Sequence, residues 1–341
     1  MRALKYKISL TYLLFFLIAP LQLLRAEEPA PKLEKVTIAY LPISNALPLF
    51  LAIEEGIFKK HGLEADIIKF QAPNQIIDTL IANRADAAGP GAAAGITIIA
   101  SEKFPGSLKV AQLNGSLADE EVSSQVTLLA VTKSSIKRFA DLKGKSLGIL
   151  PGIQWRTFTK RILRKNGLNP EAEVRLVEVP VQQHVTALLS GSVDGTLSIE
   201  PTGTIAQASG QVTSLEQSIG TKYLADPFYP GATVLSGKFI KDRSSVAKAL
   251  VSALDEATEL IRNSKDGKKY LLEKYLNMNK DHLKYLAIPE FVTNNELVSR
   301  KKLVRNRLYD PVADYQKIAD IFLEEGVLKN RVDVSGLIYS K

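Results

Sequence analysis

The chain has no cysteine, two methionines, one tryptophan and three histidines among its 341 residues. Without thiols it can build no disulfide framework, no thiolate zinc site and no cysteine nucleophile, and no lipid can be attached at a cysteine. Such a chain suits an oxidising compartment, because it avoids disulfide chemistry altogether. His61, His184 and His282 are scattered, and no two have the spacing of a metal site. Neither a metal nor another cofactor is expected. A Ser-His-Asp order is not legible, and Gly191-Ser192 lacks the strand-turn-helix setting of a nucleophile elbow. Solenoid-length repeats and low-complexity tracts are absent as well.

Charge of one sign is also scarce. The formal net charge is +8, but Arg2, Lys5, Lys7 and Arg25 lie in an apolar leader, and beyond them 40 basic residues face 36 acidic ones. Nothing alternates basic with aromatic residues over a long stretch, so no nucleic-acid partner is expected. The one dense cationic cluster, Arg300 to Arg307 (RKKLVRNR), reads as a solvated helix face. The pairs Glu54-Glu55 and Glu120-Glu121 read as surface charge.

The first 26 residues show a basic start, an apolar run from Ile8 to Leu24 broken by Pro20 and Gln22, and Ala26 before a polar stretch. This is the layout of a secretory signal peptide, with an uncleaved anchor as the alternative because Leu24 is bulky where a small residue is usual. A Pro- and charge-rich tether, Glu27 to Glu34, follows. The remaining length is enough for two domains.

Beyond the tether, apolar β-branched runs alternate with helical periods. Val36 to Tyr40, Leu63 to Phe70 and a short run ending at Gly89 read as strands; Leu47 to His61, Asn74 to Asn83 and an alanine-rich segment after Pro90-Gly91 read as helices. Alternation of this kind implies a parallel sheet covered on both faces. Leu108 to Asn114 and Val126 to Thr132 read as further strands, the second passing between lobes. The rhythm then repeats through Ser146 to Leu150, Val174 to Val179 and Asp194 to Ile199, so a second lobe of similar build is expected. Ala232 to Leu235 reads as the return crossing. From Arg243 onward the pattern is helical: Ser244 to Asn263, Asp266 to Tyr275, Lys280 to Leu286 and Pro311 to Glu325.

The stretch Lys145 to Gly167 carries the sharpest functional signal. A strand leads into Pro151-Gly152, and in the following segment Trp155, Phe158 and Ile162 share one helical face while Arg156, Lys160 and Arg164 line another. A helix start beyond a strand edge offers unpaired N–H groups to an oxygen-rich ligand. Trp155 can stack on a flat ligand or anchor its helix in the core, and Gln154 and Arg156 can donate to it. Glu200, before Pro201, can hold a ligand amine or pair with a cation. Pro90, Gly91 and Ala92 form a second small-residue joint that a ligand could approach closely.

Several segments together resemble the periplasmic substrate-binding proteins of ABC importers, of the nitrate, sulfonate, taurine and thiamine-pyrimidine type. They are VTIAYLPISNALPLFLAIEEGIFKKHGL, ANRADAAGPGAAAG, DLKGKSLGILPG, VPVQQHVTALLSGSVDGTLSIEPTG and FYPGATVLSGKFI, spread from Val36 to about Leu260. The resemblance implies an α/β, two-lobe type II periplasmic-binding-protein fold, with two crossing hinge strands and a helical C-terminal region. Lobe I would comprise residues 33–125 and 231–341, and lobe II residues 126–230. The implied ligand contacts are Ser44 and Asn45; Pro90, Gly91 and Ala92; Gly152, Gln154, Trp155 and Arg156; Glu200; and Tyr229. Where members often have Gly-Ser or Gly-Thr, this chain has Gly152-Ile153-Gln154-Trp155, which favours a flat, mixed-polarity ligand over a bare anion. The implied function is capture of a small molecule for an inner-membrane ABC permease and ATPase, by a periplasmic, monomeric non-enzyme. An enzyme of the same fold, acting on a pyrimidine or a menaquinone-route metabolite, and a periplasmic sensor domain are the alternatives.

Overall fold

Extended β-branched runs stack into two mixed sheets, as the alternation of strands and helices requires. The computed structural model describes residues 32–118 and 126–341. The leader and the Glu120-Glu121 pair lie outside the described residues.

The first sheet is built from β1 (Glu34–Tyr40), β2 (Leu63–Lys69), β3 (Ala87–Ala93) and β4 (Leu108–Ser116). Between them lie α1 (Leu47–Glu54), α2 (Ile57–Lys60), α3 (Pro73–Ile81) and α4 (Ala94–Lys103). The helix expected from Leu47 to His61 is thus two, parted at Gly56, whose φ of 67° is left-handed and stops the first.

The second sheet comprises β5 (Val126–Val131), β6 (Lys145–Ile149), β7 (Val174–Glu178), β8 (Gly195–Ile199) and β9 (Val212–Glu216), with α5 (Ile153–Lys165), α6 (His184–Leu189), α7 (Thr202–Ala208) and α8 (Ile219–Tyr223). Its order is β7-β6-β8-β5-β9, with β5 antiparallel to both neighbours. The face of α5 that carries Trp155, Phe158 and Ile162 is buried, as its periodicity predicts.

The chain then returns to the first sheet through β10 (Phe228–Ser236), which inserts antiparallel between β3 and β4. Phe228 pairs with Ser116, so the strands that enter and leave the first sheet lie side by side. With β11 (Glu290–Val292) on its edge, that sheet has the order β11-β4-β10-β3-β1-β2.

The C-terminal helices are α9 (Gly237–Asp242), α10 (Ser244–Arg262), α11 (Tyr270–Leu276), α12 (Asn294–Ser299) and α13 (Pro311–Glu324). In α10, Val246, Leu250, Leu254, Ala257 and Ile261 recur at helical spacing and are buried against the first sheet's core. Asp310 caps α13, its carboxylate accepting the N–H groups of Val312 (3.0 Å) and Ala313 (3.2 Å), with Pro311 in the first turn. Asp310→Ala is expected to cost about 1–2 kcal/mol, read as a lower urea midpoint with an unchanged m-value.

Two further expectations change. The Arg300 to Arg307 cluster is not a helix face but the hairpin β12 (Lys302–Val304) and β13 (Arg307–Tyr309). Its two-residue turn, Arg305-Asn306, has φ of 45° and 68°, the twist a tight hairpin needs. Lys302, far from solvated, is 2% exposed. Pro90-Gly91, expected as a turn, runs inside β3, where a register shift opposite Ala232 and Val234 absorbs it.

Candidate functional site

The two sheets meet through helix starts and strand ends. Ser44 and Asn45 belong to a single 3-10 turn before α1; Gly152 precedes α5; Ile199 ends β8. Gly152 has φ 106°, a conformation that glycine tolerates, and it lets the chain reverse from β6 into α5.

Ser44 and Gln154 carry hydrogen bonds across between the two sides. The N–H and hydroxyl of Ser44 both donate to the Glu200 carbonyl, at 3.3 and 3.1 Å. The Gln154 carboxamide accepts the Gly95 N–H at 2.7 Å and donates to the Pro230 carbonyl at 3.1 Å. Gln154 is thereby committed to holding α5 against α4 and β10. Behind it, Phe158 of α5 stacks on Phe322 of α13, with ring centroids 5.3 Å apart, and Arg161 pairs with Glu324 at 2.7 Å.

A small void, about 30 Å³, lies between these contacts. Leu41, Ile43 and Asn45 line it from the loop after β1, Pro73 from α3, and Gly91 and Ala93 from β3. Val126, Leu150, Gln154, Trp155 and Ile199 face it from the second sheet, and Pro230 and Gly231 from β10. No wall residue is charged. A wider groove of about 630 Å³ opens between α7 and the segment Asp281 to Tyr285, but it is an open surface depression, and the joints singled out in the sequence do not converge on it.

Four of the eleven expected contacts line the void: Asn45, Gly91, Gln154 and Trp155. Ser44 is buried beside it and spent on Glu200. Pro90 and Ala92 lie in β3 without facing it, and Gly152 sits at the helix start near Asn74 and Ile96. Arg156 turns away to pair with Glu178 at 2.7 Å, since the helical period that points Trp155 inward rotates the next residue outward. The Glu200 carboxylate faces α7, accepting the Thr204 N–H at 3.1 Å. Burial pushes its pKa up to about 7 against the lowering effect of the Thr204 bonds. Tyr229 is fully buried and does not face the void. Burial, with the nearby charges of Glu290, Asp314 and Glu296, holds its hydroxyl well above its ordinary pKa. Its neighbours Pro230 and Gly231 line the void instead.

Trp155 is 4% exposed and meets Phe158 edge-on, with centroids 5.9 Å apart, while also walling the void. Core anchor and cleft wall are one residue here. Sequence reasoning missed the apolar walls Leu41, Ile43, Leu150 and Ile199, which look like ordinary strand-end residues. Gly231, inside the quoted FYPGATV, was within reach. Among the described residues no group of three or more His, Asp or Glu could hold a metal ion.

A profile of the NMT1-like family matches residues 29–274. The chain belongs to the NMT1-like family. A Brucella abortus chain whose name describes it as a binding protein is similar, at 24% identity over 288 residues covering 83% of each chain. Among solved structures, the alkanesulfonate-binding protein of Xanthomonas axonopodis pv. citri bound to MOPS aligns with a TM-score of 0.68 at 18% identity, over 92% of this chain and 99% of that one. The periplasmic nitrate-binding protein of Synechocystis PCC 6803 aligns with a TM-score of 0.65 at 14% identity, over 90% and 85%. A desulfurization enzyme aligns with a TM-score of 0.61 at 16% identity, over 89% and 96%. These likenesses place the chain in the periplasmic-binding-protein fold, which serves binding proteins and at least one enzyme. Among the described residues no helix is long and apolar enough to cross a membrane.

Proposed function

We propose that this member of the NMT1-like family is the solute-binding component of an ABC import system. It captures a small organic ligand between its lobes in the periplasm, as a monomer, and presents the closed form to a permease and its ATPase. The observation that carries this reading is the void itself: both sheets contribute strand ends and helix starts to it, and Gln154 and the Ser44–Glu200 contact draw its two sides together. Ligand sites of open α/β sheets lie at such strand ends. A ligand that touches both sides binds the closed arrangement better and shifts the population toward it.

The wall chemistry supports binding rather than catalysis. Asn45, Gln154 and Trp155 are its only side chains with polar hydrogen-bonding groups, and none is a nucleophile or an acid-base group near neutral pH.

A thermal-shift screen of the full chain against sulfonates, nitrate, amino acids, pyrimidines and neutral amides tests the function. A ligand at 100 times its Kd adds about 2.7 kcal/mol of stability, a shift of several degrees. Silence across the screen counts against solute binding. The same ligand is expected to change Trp155 emission, because that ring is the chain's only tryptophan and walls the void. Gln154→Leu is expected to weaken binding at least tenfold, because it removes both of that residue's bonds across the lobes.

A further inference from the structure

Asn114, near the end of β4, is fully buried and was not among the expected contacts. Its side-chain oxygen accepts a hydrogen bond from the Asn45 amide at 2.6 Å, while its own Nδ2 has no partner among the described residues. A buried amide N–H without an acceptor costs roughly 1–3 kcal/mol and calls for a reason. Asn45 Oδ1 in turn accepts no hydrogen bond among the described residues, and Asn45 faces the void. The two amides therefore present one unpartnered NH2 group, that of Asn114, and one unpartnered carbonyl oxygen, that of Asn45. Exchanging O and N in both side chains leaves the same complement.

Asn45 lines the void, and Asn114 lies behind it, fully buried and close to Gly231. A Cβ on Gly231 would come within 2.1 Å of Asn114 Oδ1, and one on Gly91 would come within 3.0 Å of Asn45 Cβ; both glycines line the void. Larger residues at either position would push into the amides.

Charge discriminates among ligand classes. A sulfonate or nitrate enclosed here would meet no cationic wall, since Arg156 is paired with Glu178. The Gly95 N–H, which the start of α4 could offer an anion, is taken by Gln154. Burying an unpaired ion is costly, whereas a neutral amide gives up little. Trp155 supplies a flat wall, and Ile43, Leu150 and Ile199 supply apolar ones.

Resting on the solute-binding reading, we propose that the cleft selects an uncharged, compact, planar molecule bearing a carboxamide or lactam edge, whose C=O and N–H are read by the Asn114–Asn45 pair. The void of about 30 Å³ has room for one or two waters, so a single ring enters only with the lobes parted further than they stand here.

Isothermal titration of the full chain with benzamide, benzoate and benzenesulfonate, followed in parallel by Trp155 emission, tests this, because the three differ chiefly in charge and donor content. Benzamide is expected to bind at least tenfold more tightly than either anion. Asn114→Asp, an isostere that replaces the donor by an acceptor, is expected to weaken benzamide at least tenfold while far-UV circular dichroism shows an intact fold. Should that variant not fold, Asn45→Asp carries the same comparison. Binding of benzoate or benzenesulfonate as tight as that of benzamide overturns the proposal and leaves solute binding standing. So does benzamide binding that is indifferent to the substitution. Silence with all three probes also overturns it, and solute binding then stands or falls on the broader thermal screen.

Discussion

Lys302→Met is expected to lower folding stability by about 3–5 kcal/mol, the usual cost of stripping one partner from a buried ion pair. Lys302 is 2% exposed although it sits in a two-stranded hairpin at the surface. Its ammonium pairs with Glu290, lies 3.6 Å from Glu296, and donates to the Phe291 carbonyl at 2.7 Å. Those partners come from β11, on the edge of the first sheet, and from α12. Lys302 thus ties the hairpin to the lobe's edge. Burial raises the pKa of Glu296, but Arg262 and Lys302 outweigh it and hold the group below its ordinary value. Methionine matches the length of the stem but leaves Glu290 and a carbonyl without their donor. The measurement is the urea midpoint at pH 7 with m unchanged. A loss below 1 kcal/mol would mean that water replaces the ammonium. Lys302→Arg keeps the charge and is expected to lose less than methionine does.

That buried lysine marks where sequence reasoning runs out. Periodicity recognises α5, α10 and α13 and most strands of both sheets, because each buries one apolar face and the spacing of that face is written in the chain. It misreads RKKLVRNR because alternation over three residues is too short to reveal a strand, and because a lysine carries no sign of being buried. The same limit applies at the cleft. The joints after β1 and β6 are visible from Pro42, Pro151 and Gly152, whereas Pro90-Gly91 falls inside β3; of the expected contacts, Asn45, Gly91, Gln154 and Trp155 line the void. Which side chain turns inward depends on a rotation of about 100° per helical residue, so Trp155 faces the void and Arg156 does not. Asn114 is invisible in sequence because only the fold brings it against Asn45, 69 positions earlier.

The uncharged lining also bears on the opening signal. A strand-turn-helix joint predicts an anion through its free N–H groups, and α5 does start at the cleft. In the folded chain, however, Gln154 projects from that start and consumes the N–H of the facing helix. Gln154 thus alters chemistry and closure together: it takes up a helix-start N–H that could have met an oxyanion and bridges the two sides of the cleft.

Two buried groups of the second lobe are expected to oppose each other in their pH dependence. His184 is fully buried; its Nε2–H donates to the Val179 carbonyl at 3.0 Å, so Nδ1 accepts the Ser198 hydroxyl proton at 2.7 Å. Thr196 in turn donates to Ser198 at 3.0 Å. Burial lowers the His184 pKa to about 4, with the Val179 bond acting the other way. The unfolded chain therefore takes up this proton at a higher pH than the folded one, and the stability His184 contributes is present above pH 6.5 and lost as pH falls toward 4. At 1.36 kcal/mol per unit the loss is about 3 kcal/mol. Glu200 runs the other way. With its folded pKa raised to about 7, its contribution is full below 4.5 and lost as pH rises through 7, again by about 3 kcal/mol. His184→Gln is therefore expected to gain about 3 kcal/mol relative to the parent chain between pH 6.5 and 4, and Glu200→Gln to lose about as much between pH 7 and 4.5. Urea midpoints across a pH series, each variant minus parent, isolate the two groups from the surface carboxylates common to all three proteins. A flat difference for His184→Gln would mean that the imidazole ionises in place. A flat difference for Glu200→Gln would mean that the carboxylate reaches water past α7. Both residues lie within the β7-to-α7 segment, so opposite slopes would show that one lobe balances an acid-labile group against an alkali-labile one beside the cleft.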